Sequence, residues 1–302
     1  MTSLRTGIAW LCATSALVAM SSCSQTSSAD SPATTQTAPV NSVAPVTESP
    51  TTLAPTTEAP TTEAPTTTTE APTTTAAPTT TVPSNLVVVG PAAVPIVAVG
   101  KSNGPDTVAL QDRLTLLGFW NGLSDGQYGF ATLQAVMAFQ KYIGLPATGK
   151  VDDTTAQYLT GFGDKAHGTA DSGTLVEVDK AKQLLFIVVD GQTLYTFNTS
   201  TGSGIPYEAH NKNDPTKIES GDAVTPNGLW KVNRERPEGW WEGDLGKIYR
   251  PKYFHGGVAI HGMTSVPNYP ASHGCVRLST QAMDFIWDSG LVPMGTPVWV
   301  HE

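Results

Sequence analysis

The chain has 302 residues, of which 39% are hydrophobic and 14% charged, and its formal net charge at pH 7 is −9. Ordinary globular domains have about 45–50% apolar and about 25% charged residues, so part of this chain is not expected to pack into a core. No basic cluster stands out, which disfavours nucleic-acid binding. No internal apolar run reaches about 18 residues, so no spanning helix is predicted beyond the N-terminus.

The first 22 residues have the pattern of an export signal. Arg5 precedes an apolar stretch that runs from Ile8 to Met20, and small residues follow it. The next residue, Cys23, resembles the acylated cysteine of bacterial lipoproteins, although Met20 stands where that motif usually has Leu. We therefore expect a signal peptide over 1–22 and lipidation of Cys23. The alternative is ordinary cleavage, for instance after Ala29, which would release a soluble secreted protein.

Residues 23–95 are predicted to form a disordered linker behind the lipid anchor. Within them, residues 31–83 contain 20 Thr and 10 Pro, and the run Thr-Thr-Glu-Ala-Pro recurs. The segment has almost no apolar side chain to bury and no helical or strand periodicity, so it cannot build a core. Because Pro keeps a chain extended, such a linker would hold the following domains away from a membrane. The alternative is a disordered tail with no length requirement.

The block 96–165 is predicted to be a small three-helix bundle. Apolar residues recur at helical spacing over 108–117, 132–142 and 154–159. Glycines follow the first two helices, and Asp-Gly and Thr-Gly pairs mark turns.

Motifs across this block resemble the peptidoglycan-binding domain found in cell-wall enzymes. They are Leu110-Gln111, Leu114, Gly118-Phe119, Asp125-Gly126-Gln127-Tyr128-Gly129, Thr132, Ala135-Val136, Phe139-Gln140, Gly144-Leu145, Gly149 and Val151-Asp152. The resemblance implies a module that holds the protein on the wall. The alternative is a helical spacer that binds nothing.

The C-terminal part, residues 170–302, is predicted to be a mostly β domain that resembles a β-sandwich. Strands are expected over 175–178, 183–189, 193–197, 229–232, 257–261 and 298–300, with one helix over 280–288. Asp190-Gly191 has the pattern of a hairpin turn. Ser279 or Thr280 is the expected N-cap of the helix, and Gly290 follows its end.

A single thiol remains in the folded export product. Cys12 lies inside the signal and Cys23 would be lipidated, which leaves Cys275 without an internal disulfide partner. A thiol needs a base to become a thiolate at neutral pH, and His273 and His261 are the nearby candidates.

Two further residues near Cys275 fit the chemistry of a nucleophile. Gly274 frees the backbone beside the thiol, where amide N–H groups can face an oxyanion. Arg277 shares a face with Cys275 if the segment is extended, and it can grip a carboxylate.

Two other interpretations of Cys275 stay open at this point. A His-x-Cys pair with a second His can bind zinc, but a structural site needs a fourth ligand, for which Asp284 or His255 would have to serve. Cys275 can also be an inert core residue.

The order of several motifs resembles the L,D-transpeptidase catalytic domain family over about residues 172–302. The motifs are Thr201-Gly202, Thr225-Pro226-Asn227-Gly228, the strand Gly257 to His261 followed by Gly262, Ser272-His273-Gly274-Cys275, and Gly295-Thr296-Pro297-Val298. Ten residues separate His261 from Ser272, fewer than in the commoner form of the motif, and Arg277 stands where some members have Asn.

The resemblance implies a cysteine acyltransferase. Cys275 would be the nucleophile and His261 its general base, oriented by the Gly262 carbonyl. The amides of His273, Gly274 and Cys275 would form the oxyanion hole. The expected substrate contacts are Arg277, Tyr253 and Ser272, and no cofactor or metal is expected.

The implied function is the formation of cross-links between peptidoglycan stem peptides by a monomeric enzyme. Its expected partners are the stem peptides and glycan of the wall, with no nucleic acid and with membrane contact through the lipid anchor only. Its expected location is the outer side of the cell membrane, facing the cell wall or periplasm. The alternatives are an L,D-carboxypeptidase-type hydrolase that uses the same residues, and a non-catalytic wall-anchored binding protein.

Overall fold

The computed structural model of the protein describes residues 85–302. The predictions for the signal peptide, for Cys23 and for the linker up to residue 84 lie outside the described residues. Within residues 85–302, no helix is both long and apolar enough to cross a membrane.

The first part of the described chain is the predicted three-helix bundle. Its helices are α1 (Pro105–Leu116), α2 (Phe130–Tyr142) and α3 (Asp153–Gly161). Helix α1 begins with Pro105. Proline has no backbone N–H, but the N–H at the first position of a helix has no partner within the helix, so no hydrogen bond is lost. The side chain of Asp152, the N-cap of α3, accepts a hydrogen bond from the Thr155 N–H at 2.8 Å.

Large apolar side chains from the helices and the turns between them build the bundle core. Leu110, Leu114, Phe119, Phe139 and Leu159 are fully buried. The rings of Phe119 and Phe139 meet edge to face with centroids 5.5 Å apart, a favoured aromatic geometry.

Residues 85–95, the end of the predicted linker, lie against this bundle. The N–H groups of Val89 and Gly90 donate to the Gly163 carbonyl at 2.7 and 2.8 Å. The buried guanidinium of Arg113 donates to the Leu159 and Gly90 carbonyls at 2.9 Å each. The segment is therefore held by paired backbone groups along the bundle.

The second part is the predicted mostly β domain. Its elements are β1 (Leu175–Asp179), β2 (Leu184–Val189), β3 (Gln192–Asn198), β4 (Pro206–His210), β5 (Ile218–Asp222), β6 (Gly228–Lys231), β7 (Arg234–Glu235), β8 (Trp240–Gly243), β9 (Gly246–His255), β10 (Val258–Met263), β11 (Val276–Ser279), α4 (Thr280–Ser289) and β12 (Pro297–His301). The predicted fold class is confirmed.

Two sheets enclose the core of this domain. One sheet has the strand order β3-β2-β1-β12-β6, the other has the order β11-β10-β9-β7 with β8 on β9, and β4 and β5 form a separate hairpin. One buried cluster joins Val176 and Leu185 of the first sheet to Ile260 and Leu278 of the second and to Met283 of α4. The predicted caps of α4 are also present, with the Ser279 hydroxyl accepting from the Ala282 N–H and with Gly290 at a φ of 65°.

The bundle packs against the outer face of the first sheet. Leu184, Phe186 and Val188 of β2 belong to the same buried cluster as the helices. The ammonium group of Lys141 on α2 donates to the carbonyls of Gln183 and Thr199 at 3.1 and 3.0 Å. Helical and β parts thus share a core and specific polar contacts.

Candidate active site

Parallel pairing of β10 and β11 brings the predicted catalytic residues together. His261 lies directly opposite Arg277, and Cys275 immediately precedes β11. Residues two apart on an extended strand share a face, as do residues paired across a ladder. Cys275, Arg277 and His261 therefore lie on one face at the edge of the second sheet.

Cys275 is half-buried and contacts the backbone of the neighbouring strand. Its Sγ lies 3.8 Å from the carbonyl oxygen of Gly257, and it has a hydrogen-bond interaction with the backbone of Ala259. Burial raises the pKa of the thiol above its ordinary value of 9.0, while the Ala259 backbone and the charge of Arg277 act in the opposite direction. The resting group is thus a thiol, which needs a base for its activation.

The imidazole of His261 is 2% exposed and bonds to the backbone next to it. Its Nδ1 lies 3.0 Å from the Gly262 carbonyl oxygen, a contact that assigns the proton to Nδ1 and leaves Nε2 as an acceptor. Burial lowers the pKa of His261 to about 4, the Gly262 carbonyl raises it, and the charge of Arg277 lowers it. At neutral pH the ring is therefore uncharged and able to accept a proton.

Arg277 supplies the positive charge of the site. Its guanidinium is half-buried, and its buried Nε has no hydrogen-bond partner among the described residues. Its charge acts to lower the pKa of both groups, against the larger effect of burial for Cys275 and in the same direction as burial for His261. Arg277 therefore favours a thiolate or an oxyanion in the site and opposes an imidazolium.

The loop before Cys275 is fixed by hydroxyl groups from two elements. The Ser272 hydroxyl donates to the Cys275 carbonyl at 2.5 Å and accepts from the Gly274 N–H at 3.0 Å. The Thr225 hydroxyl donates to the Gly274 carbonyl at 2.7 Å and accepts from the Gly202 N–H at 2.9 Å. The Gly274 N–H and the carbonyls of Gly274 and Cys275 thus each have a defined partner.

Glycine is required at position 274 for two reasons. Its φ is 124°, which lies in the region that L side chains rarely adopt, and an added Cβ would lie 3.0 Å from the Val224 carbonyl oxygen. The loop therefore keeps its close approach to residue 224 only with Gly here.

Three predicted site residues have surroundings that differ from the expectation. Ser272 is 2% exposed with its hydroxyl bonded to the loop, so its geometry fits a positioning residue better than a substrate contact. Tyr253 is 5% exposed, and the Arg234 guanidinium covers its ring at 3.9 Å. The Gly274 N–H, predicted for the oxyanion hole, already donates to Ser272.

His273 is exposed, and its ring contacts Tyr207 of the β4–β5 hairpin with centroids 5.2 Å apart. It therefore lies at the border between the loop before Cys275, residues 272–274, and that hairpin.

The two residues considered as additional zinc ligands have other contacts. Asp284 accepts hydrogen bonds from Tyr249 and Arg250 at 2.9 and 2.7 Å, and His255 packs on Trp230 with ring centroids 4.0 Å apart. In residues 85–302, no group of three or more His, Cys, Asp or Glu side chains is placed to hold a metal ion.

Two residues that contact Cys275 or the residue before it were not predicted to be part of the site. Thr225 belongs to the turn motif of residues 225–228, and Ala259 belongs to the predicted strand 257–261. Their contacts join residues 49 and 16 positions apart. The turn motif could have drawn attention to Thr225, whereas no sequence feature indicates that Ala259 lies beside Cys275.

Two families of domains match the chain. Residues 173–300 match the L,D-transpeptidase catalytic domain family YkuD, and residues 103–159 match the peptidoglycan binding domain family PG_binding_1.

Curated relatives match over short stretches. The spore cortex-lytic enzyme of Bacillus cereus is 37% identical over 73 residues, which are 24% of this chain and 28% of that protein. The N-acetylmuramoyl-L-alanine amidase CwlM of Mycobacterium tuberculosis is 38% identical over 65 residues, which are 22% of this chain and 16% of that protein. The chain thus spans less than a third of the length of these relatives.

Among solved structures, the crystal structure of the L,D-transpeptidase from Xylanimonas cellulosilytica is similar over both parts of the described chain. It is 43% identical with a TM-score of 0.60, and the match covers 67% of this chain and 96% of that one. At this identity over nearly the whole of the solved protein, the chain belongs to the L,D-transpeptidase family.

Proposed function

We propose that the chain is a peptidoglycan L,D-transpeptidase that cross-links stem peptides through a thioester at Cys275. One observation carries this proposal: a protonated thiol, a neutral imidazole with its Nδ1 on a carbonyl, and a guanidinium share one face of a sheet. Acyl transfer by a cysteine needs a thiol, a base for its proton and a group that stabilises negative charge, and this face carries one of each. Family membership supports it.

In the first half-reaction, His261 Nε2 takes the thiol proton as Cys275 Sγ attacks a carbonyl carbon between an L-centred residue and a D-amino acid. A tetrahedral oxyanion forms. Its collapse breaks the C–N bond, and the imidazolium gives its proton to the departing amine. The products are a thioester on Cys275 and a free D-amino acid.

The oxyanion needs donors that are aimed at it before the reaction starts. Because the Gly274 N–H is bonded to Ser272, the amides of His273 and Cys275 are the donors we assign. The charge of Arg277, two residues beyond Cys275 in the same segment, stabilises the same negative charge. Ser272 and Thr225 act as positioning residues through the loop backbone.

In the second half-reaction, an amine of a neighbouring stem attacks the thioester. Its proton passes through His261 to the departing thiolate, which restores the thiol and leaves an amide cross-link. One amide is broken and one is formed, so no external energy source is required. Water in place of the amine gives the alternative activity, an L,D-carboxypeptidase-type hydrolysis that uses the same residues.

Product analysis separates these activities. Purified protein is incubated with tetrapeptide muropeptides, and the products are separated by mass. Cross-linked dimers together with a free D-amino acid are expected. Tripeptide monomers alone would identify a hydrolase, and unchanged muropeptides would favour a non-catalytic binding protein.

The matched domains act on or bind the cell wall, which indicates an exported protein with peptidoglycan as its partner.

We further propose that Cys23 is lipidated, which would make the following linker a spacer from the membrane. Replacement Cys23→Ser is expected to release the protein into the medium. Retention of that variant in the membrane after signal removal would contradict the anchor.

A further inference from the structure

A cleft of about 790 Å³ lies between the helical bundle and α4 of the catalytic domain. One wall is the turn after α1, which contributes Trp120, Asn121 and Leu123, and the other wall includes Tyr195 and Phe285. None of the residues assigned to acyl transfer lines it. A cavity of this size is in the range of ligand sites.

Aromatic rings from the two walls contact one another and together make up the aromatic side of this cleft. The Trp120 indole lies 5.4 Å from the Phe285 ring of α4, and Tyr195 of β3 lies 4.8 Å from the same ring. At the lip, Leu123 is 79% exposed although it is apolar. Aromatic faces carry negative charge and attract the weakly positive C–H groups of a pyranose ring.

The polar side chains of the cleft are acids, amides and the hydroxyl groups of Thr115, Thr132 and Tyr195. Asp125 contributes from the bundle, and Gln281, Asp284 and Asp288 contribute from α4. No lysine or arginine is among the described residues that line the cleft. Carboxylates and amides accept hydrogen bonds from hydroxyl groups. Arg250, which does not line the cleft, lies 2.7 Å from Asp284 and 3.8 Å from Asp288 and offsets part of their charge. The lining itself offers no cation to an anionic ligand.

Asn121 adds an acceptor with unused capacity. The side chain is 3% exposed, and its Nδ2 donates to the Gln111 carbonyl and the Thr115 hydroxyl at 2.9 and 2.8 Å. Its Oδ1 has no partner among the described residues. A buried acceptor without a partner is costly. Because this oxygen is closed to solvent in the structure, a ligand hydroxyl would bond to it only after a small movement of this wall.

We propose that this cleft binds an uncharged segment of the glycan strand, with the sugar stacked on the aromatic side and its hydroxyl and acetamido groups bonded to the amides and acids. The proposal rests on the proposed function, because it names the part of the wall that the enzyme holds. The site needs residues of both domains. Glycan binding therefore fixes the orientation of the catalytic domain relative to the strand whose stems it uses.

The test measures the binding of chitotetraose, a neutral N-acetylated oligosaccharide without peptide, by calorimetry and Trp fluorescence. Every protein carries Cys275→Ser, so the measurement does not depend on acyl transfer. Trp120→Ala is expected to weaken binding by roughly tenfold or more, since stacking anchors dominate such sites. The double variant Gln281→Ala/Asp288→Ala changes two exposed α4 side chains and is expected to weaken binding by about threefold or more.

A matched control is Gln157→Ala/Asp153→Ala, which changes the same residue types at exposed positions of α3, outside the cleft. Binding should match the parent in this control and should be insensitive to salt, since the ligand is uncharged. Equal affinity in the α4 double variant and the control would overturn the proposal, even if Trp120→Ala fails to fold. Absence of chitotetraose binding would overturn it too, whereas a failure of Cys275 acylation in the wild type would count only against the proposed function.

Discussion

The Nδ1 of His261 lies 3.0 Å from the carbonyl oxygen of the next residue, Gly262, in the same strand. This contact holds the ring in the tautomer that leaves Nε2 free to take a proton. Gly262 itself has little room, because an added Cβ would lie 3.1 Å from the Thr280 Cα and 2.9 Å from the Tyr249 ring. A side chain at position 262 would therefore displace the backbone whose carbonyl orients the ring.

Removal of the base should slow acylation without unfolding the protein. We expect His261→Ala and His261→Gln to lower the rate of thioester formation by about 10²–10⁴-fold, the usual contribution of a positioned general base. Stopped-flow or quenched-flow mass spectrometry checks the rate, and circular dichroism checks the fold. Acylation at the wild-type rate in both variants would contradict the assignment.

The low pKa of His261 predicts how activity and stability depend on pH. Because the ring is neutral above a pKa of about 4, acylation should be nearly constant from about pH 5.5 to 8 and should fall as the pH approaches 4. The unfolded ring has the ordinary pKa of 6.5 and binds more protons in this range, so stability should also fall from pH 6.5 towards 4. His261→Gln should remove that component of the stability profile. An acid limb of acylation centred near pH 6.5 would contradict this account.

The raised pKa of Cys275 predicts slow alkylation at neutral pH. Only the thiolate reacts with iodoacetamide, and burial raises the thiol pKa above 9.0. The alkylation rate should therefore be low at pH 7 and should continue to rise above pH 9. A plateau already reached at pH 7 would indicate a resting thiolate.

The Thr225 hydroxyl should affect the acylation rate because it holds the loop of residues 272–274 before Cys275. Thr225→Val keeps the shape of the side chain but removes the hydrogen bonds to the Gly274 carbonyl and from the Gly202 N–H. We expect a loss of about 1–3 kcal/mol in stability and slower acylation with little change in the apparent affinity for the donor. Thr216→Val, in the exposed β4–β5 loop, is the control. Equal acylation rates in the two variants would contradict a positioning role.

The elements predicted from sequence are those with a strong local pattern. Helix α2 and strand β2 carry long apolar runs, and α4 has both caps in its sequence. Strand β9 was missed because Pro251 and charged residues interrupt it, and Pro within a run argues against a strand. The exposed hairpin of β4 and β5 has no buried face that would produce a pattern.

The same distinction applies to the site. Cys275 and His261 were identified because their chemistry is rare in an exported chain, and their motifs resemble a family. The surroundings of Ser272 and Tyr253 were not predictable, because they depend on hydrogen bonds within a folded loop and on Arg234 from another strand. Sequence proximity to a nucleophile does not determine which side chains remain open to a substrate.

The contact between Lys141 and the catalytic domain predicts a second dependence on pH. Burial lowers the pKa of Lys141 from 10.5 to about 7, so the unfolded chain binds more protons between these values and stability should rise with pH across this window. Lys141→Met should remove that rise. At the alkaline end of this window, where the burial cost of the charge is absent, it should also destabilise the protein by about 1–3 kcal/mol, because the Gln183 and Thr199 carbonyls lose a donor.

Chemical denaturation at several pH values measures both effects of Lys141. Lys150→Met, at an exposed position of the bundle, is the control and should leave the pH dependence as it is in the wild type. An unchanged slope in Lys141→Met would show that this ammonium group is not the cause.

We expect Cys275 to form a covalent acyl-enzyme with the help of His261. Intact-mass spectrometry during reaction with a tetrapeptide donor tests it most directly, with a carbapenem as a second acylating probe that the family resemblance suggests. We predict one acyl adduct on the wild type, none on Cys275→Ser, and slow formation of the same adduct on His261→Ala. An adduct that persists in Cys275→Ser, or turnover of the donor by that variant, would contradict the account.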